Sequence, residues 1–113
     1  AELLRYLSIN VPDIGFVVDV KQTIRCGVSL DELLWTLNSK IKHIHMSDHT
    51  QAQDCLCPGK GTMDILNFLD KLQKISFDGY LTIEVYGCRE NQCDELIESA
   101  KLLEHFIRQA ENA

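Results

Sequence analysis

Three short apolar runs recur along this 113-residue chain, and each ends in a side chain able to bind a metal or carry a proton. GFVVDV holds Asp19, KHIHMS holds His45 and YLTIEV holds Glu84. A loop and an amphipathic helical stretch follow each run, so the chain reads as successive strand-then-helix units of a parallel α/β fold. In such folds the loops at the carboxyl ends of the strands hold the chemistry, which lets residues remote in sequence converge on one site.

Residues 2–9 carry Leu3, Leu4 and Leu7 at helical spacing and stop before Pro12, which biases Val11 away from helix. Phe16, Val17 and Val18 form a continuous apolar run, as in a parallel strand covered on both faces, and this predicts a central strand rather than an edge. KQTIRCGV reads as a loop. Ser29-Leu30-Asp31-Glu32 is a capping-box signature, and the helix behind it puts Leu30, Leu33, Leu34 and Leu37 on one face with Trp35 toward its flank.

From residue 41 to 47 the period is two, with Ile44 and Met46 on one side and His43, His45 and Ser47 on the other. The long loop DHTQAQDCLCPGKG ends at Thr62, the expected N-cap of a helix containing Ile65, Leu66, Phe68, Leu69 and Leu72. After the turn SFDGY, Leu81, Ile83 and Val85 alternate with Thr82, Glu84 and Tyr86. A last helix is predicted over residues 94–110, its buried side marked by Leu96, Ile97, Leu103, Phe106 and Ile107. No low-complexity linker divides these units, so residues 1–113 are expected to form a single domain.

A composition of 45% hydrophobic and 25% charged residues suffices to bury a core. The net charge of −6 and pI of about 5.1 give no support to a duplex-binding surface, which needs clustered Lys and Arg to neutralise phosphates. No apolar stretch approaches ~18 residues and no signal-peptide pattern is present, so no membrane anchor is expected. Five cysteines, an odd number at irregular spacing, disfavour a fully paired secreted framework and point to a reducing cytoplasm. Cys55 and Cys57 with Cys88, Cys93 and His43, His45 or His49 form a zinc alternative, although structural zinc favours a tighter C-x2-C spacing. Pro58-Gly59-Lys60-Gly61 offers backbone N–H groups ahead of a helix, an arrangement that favours anions. A plain loop-to-helix turn is the simpler reading of that segment.

Alternation decides which side chains meet. If Ile44, Met46, Ile83 and Val85 face the helices, His45 and Glu84 point into the opposite space and Asp19 joins them. Two carboxylates and an imidazole placed there need partners, because an unpaired buried carboxylate costs several kcal/mol, as an order of magnitude. The pattern leaves two solutions open: a divalent cation, or a hydrogen-bond network pairing His45 with Asp19 or Glu84.

FVVDVKQ, IKHIHMSD, PGKGTMDILNFLDKL and FDGYLTIEV, in that order over residues 14–85, resemble the C-terminal half of the xylose isomerase-like TIM barrel superfamily. That group includes sugar phosphate isomerases and epimerases and the endonuclease IV type of repair enzyme. The resemblance implies the C-terminal part of a (β/α)8 barrel, incomplete as given, since a full barrel takes ~250 residues. The start at Ala1, without an initiator Met, fits a partial or processed product. In the superfamily a divalent metal (Mn, Mg, Co or Zn) is held by Glu, Asp, His and Glu from successive strand ends. The resemblance puts Asp19, His45 and Glu84 at the last three and the first Glu upstream of Ala1. It also implies a sugar or sugar phosphate substrate, isomerised by proton transfer through a metal-stabilised enediolate, with Glu84 as a catalytic carboxylate.

Gln22 stands where the family often has a substrate-binding His, and Asp48 follows His45 closely enough to bridge to substrate. Cys55 replaces a family Arg or His and cannot supply a bidentate fork. These departures argue against the endonuclease IV reading, and they favour as alternative a non-catalytic, degenerate barrel domain with a binding or structural role. Three parallel strands cannot close a barrel, so self-association or dependence on the missing N-terminal half is expected, with the fragment alone inactive.

Overall fold

The structure, a computed structural model, describes residues 2–86 and 90–112. Helix α1 (Glu2–Asn10) leads into strand β1 (Phe16–Asp19), followed directly by the short helix α2 (Val20–Arg25) and by α3 (Leu30–Leu37). A single 3-10 turn, Asn38–Lys40, delivers the chain to β2 (Ile41–Met46); α4 (Ile65–Lys74), β3 (Tyr80–Ile83) and α5 (Gln92–Glu111) complete the order. The three strands form one parallel sheet in the order β1-β2-β3, with Asp19 opposite His45 and His45 opposite Thr82. The expected parallel strand-helix architecture is present.

The sheet is covered on one side. Val18, Ile44 and Met46 face that side and are buried together with Leu34 and Leu37 of α3, Phe68, Leu69 and Leu72 of α4, and Leu103 of α5. Each such side chain contributes about 1.5–3 kcal/mol relative to exposure, which is what fixes the strand register and sends the alternate residues to the opposite face. That face carries Val17, Asp19, His43, His45, Thr82 and Glu84, a mostly polar row. His43, two residues before His45 on β2, has its Nε2 2.7 Å from the Thr82 hydroxyl and its ring 5.0 Å from that of His45.

Several expectations are revised. β1 pairs only with β2 and is an edge among the described strands, and Val17 is 57% exposed because it shares the uncovered face with Asp19. The segment read as a loop after β1 is helical: Asp19 caps it, its carboxylate accepting the Gln22 N–H at 3.0 Å. Asp64, not Thr62, caps α4, accepting the Asn67 N–H at 3.1 Å, while the N–H and hydroxyl of Thr62 both donate to the His49 carbonyl. Ile97 is exposed on α5. Ser29 caps α3 as the capping-box signature indicates.

Candidate metal centre

Each member of the trio is delivered by a different strand end. Asp19 closes β1, His45 is the penultimate residue of β2, and Glu84 follows β3 with its N–H donated to the Met46 carbonyl at 3.0 Å. The His45 Nδ1 lies 3.0 Å from Glu84 Oε2 and 3.6 Å from Asp19 Oδ2. One donor atom from each of the three falls within 4.8 Å of the others, and no other group of three or more His, Cys, Asp or Glu does so among the described residues. All three side chains are partly open to solvent, so an ion has a way in.

The residues fit a divalent cation. Two carboxylates and one imidazole form an oxygen-and-nitrogen donor set of the kind that suits Mn, Mg, Co or Zn, and their two negative charges match the ion's. A divalent cation held there would be bound by one oxygen each of Asp19 and Glu84 and by a ring nitrogen of His45. The cysteine-based zinc alternative does not form among the described residues, and Cys88 lies outside them. Cys55 is buried with its thiol donating to the Glu84 carbonyl at 3.7 Å, and Cys93 is exposed on α5.

Two residues at the site were not singled out by sequence reasoning. Lys21 is only 2% exposed; its Nζ lies 3.5 Å from Glu84 Oε1 and 3.8 Å from the centre of the Tyr86 ring. The Tyr86 hydroxyl donates to the same Glu84 Oε1 at 3.2 Å. The Lys21 pKa is held above its ordinary value, first by hydrogen bonding with Tyr86, with burial working against it. For Tyr86 the signal was present, since alternation already put it on the face of Glu84; for Lys21 it was hidden by reading its segment as a loop.

The remaining candidates divide. Gln22 is exposed in the first turn of α2, beside Asp19. Asp48, expected to bridge to substrate, is 1% exposed, and its two carboxylate oxygens accept the backbone N–H groups of His49, Gly59, Gly61 and Met63 at 2.7–3.0 Å. Those four donors leave it organising the loop rather than facing a ligand. The glycine-rich turn does bind an anion, but the anion is Asp48; a Cβ at Gly61 would collide with that carboxylate. Lys60 pairs instead with Glu98 at 3.0 Å.

Beside the trio lies a groove of about 640 Å³ whose walls include Arg25, Gln53, Asp54, Cys55 and Tyr86. The Arg25 guanidinium grips Asp54 through two hydrogen bonds, of 2.5 and 3.0 Å, and holds that carboxyl below the ordinary carboxylate range.

No protein-family model and no curated protein matches this sequence. Solved structures do match. A D-tagatose 3-epimerase-like protein superposes with a TM-score of 0.70 at 22% identity, over 87% of this chain and 36% of its own. The chain has the fold of part of a TIM barrel. A second solved structure, a xylose isomerase domain protein from Alicyclobacillus acidocaldarius subsp. acidocaldarius, matches with a TM-score of 0.66 at 24% identity over 88% of this chain. This chain spans 36% and 39% of the lengths of those two proteins. Asp19, His45 and Glu84 stand on the uncovered face of the sheet, at the carboxyl ends of its strands.

Proposed function

We propose that this chain forms part of a metal-dependent sugar isomerase or epimerase and holds three of the metal's ligands, Asp19, His45 and Glu84. The observation that carries the reading is the convergence of three donor atoms within 4.8 Å at the ends of parallel strands. The likeness to an epimerase-like protein and to a xylose isomerase domain protein supports the substrate class. Bound there, a divalent cation would supply Lewis-acid polarisation of a sugar's carbonyl and hydroxyl oxygens. Glu84 has the second task of taking a proton from the carbon beside the carbonyl and returning it. Gln22 is the candidate for a substrate hydroxyl, whereas the Asp48 carboxylate is engaged by loop amides.

An unphosphorylated sugar fits better than a sugar phosphate, since Lys60 is paired with Glu98, Arg25 with Asp54, and the glycine-turn amides with Asp48. A cytoplasmic setting accords with the unpaired state of Cys26, Cys55 and Cys93; no helix among the described residues is long and apolar enough to cross a membrane. The test is solvent exchange. The whole protein of which this chain forms part is incubated with Mn²⁺ or Co²⁺ and a panel of ketoses in D₂O, and deuterium at the carbon beside the carbonyl is followed by NMR. Incorporation that disappears in Glu84→Gln is expected. A bound cation without exchange on any sugar would favour the non-catalytic barrel domain, and clean incision of an abasic-site duplex would favour the repair-enzyme reading.

A further inference from the structure

Both carboxylates of the trio present a single oxygen to the space between them. Asp19 has Oδ1 occupied by the Gln22 N–H and turns Oδ2 toward His45. Glu84 has Oε2 beside His45 Nδ1, while Oε1 faces the Lys21 ammonium and the Tyr86 hydroxyl. Lys21 has no alternative on the surface: it is 2% exposed and lies against the Tyr86 ring, an arrangement stabilised by the ring's negative face. It also starts from the turn that Asp19 caps, so one short helix fixes a ligand and the cation opposite another ligand.

We propose that Lys21 is a positioning residue that, with the Tyr86 hydroxyl, keeps Glu84 Oε1 out of the coordination shell, so that Oε2 alone binds the cation and Oε1 remains the proton-transferring atom. The contacts to Oε1, 3.5 Å from the ammonium and 3.2 Å from the hydroxyl, are longer than strong hydrogen bonds and orient that oxygen without saturating it. Without Lys21, both Glu84 oxygens are free to close on the ion and the carboxylate loses its acceptor. The inference rests on the metal-centre reading and adds to it a division of labour between two oxygens of one side chain.

Infrared spectroscopy of protein labelled with ¹³C-glutamate reads this directly, the Glu84 bands being identified by difference against Glu84→Gln. The separation of the two carboxylate stretches is wide when one oxygen binds a cation and narrow when both do. With Co²⁺ bound, a wide separation is expected in the unsubstituted chain and a narrow one in Lys21→Met. Tyr86→Phe, which changes an exposed ring and leaves the ammonium in place, should shift the bands in the same direction by less, and it carries the test if Lys21→Met does not fold. Glu84 bands unchanged in both variants, with and without Co²⁺, would overturn the proposal. Failure of the unsubstituted chain to take up Co²⁺ would instead reject the metal centre and with it the coordination role. The metal-free bands would then decide whether Lys21 orients Glu84 at all.

Discussion

Asp48 shows how one side chain can hold a loop of fourteen residues without touching the chemistry. Its carboxylate is the shared acceptor for four backbone N–H groups spread from residue 49 to residue 63, and a buried donor left without an acceptor costs about 1–3 kcal/mol. Asp48→Ala should therefore lower stability by at least about 3 kcal/mol, measured by urea unfolding; a loss below 1 kcal/mol, on the order of an exposed substitution, would show that water replaces the carboxylate. The Arg25–Asp54 pair gives a pH dependence of known sign. Because the folded state lowers the Asp54 pKa, the pairing's contribution is fully present above the ordinary carboxylate range and is lost as pH falls through the lowered folded-state value. In Arg25→Gln the Asp54 carboxyl should titrate at higher pH by ¹³C NMR, and an unmoved midpoint would assign the lowering to something other than the guanidinium. At this scale Asp19, His45 and Glu84 were legible because strand geometry forces alternate residues to one face. Lys21 was not, because a lysine just after a strand reads as solvated until the helix start at Asp19 turns it back over Glu84. Asp48 misled for a related reason: proximity in sequence to His45 says nothing of which way a loop carboxylate turns.

Helices and strands were read with uneven success, and the physical reason differs from one to the next. β2 and α4 announce themselves by period, two and 3.6 residues respectively, since each has one face against the core. α2 has six residues, too few for a period to register, and depends on the Asp19 cap rather than on an apolar stripe. The start of α4 was misplaced by two residues because Thr62 and Asp64 are both competent caps, and the His49 carbonyl engages the first. On α3, Leu34 is 2% exposed within the main core cluster. Leu34→Ala should cost about 2–5 kcal/mol, a large share of the ~5–15 kcal/mol that holds a domain of this size. Thermal unfolding checks it, and a midpoint matching the unsubstituted chain would mean that α3 is not anchored through this residue.

Across the whole molecule the sheet is covered by helices on one side and open on the other. Its radius of gyration, 14.4 Å, exceeds the ~13 Å typical of a compact domain of this length, and extents of 46 × 32 × 22 Å describe a slab rather than a sphere. β1 and β3 each have one unpaired edge among the described strands, and unpaired edges template further pairing. Self-association of this chain is therefore expected, with a mass above that of the monomer in sedimentation at high concentration; a clean monomer throughout would reject it. The open face is also where the three donors gather. The decisive measurement is anomalous diffraction at the metal edge from crystals soaked in Mn²⁺ or Co²⁺. One peak at about 2.0–2.3 Å from Asp19 Oδ2, His45 Nδ1 and Glu84 Oε2 is predicted. An empty position there, or a peak held by other side chains, would contradict the account.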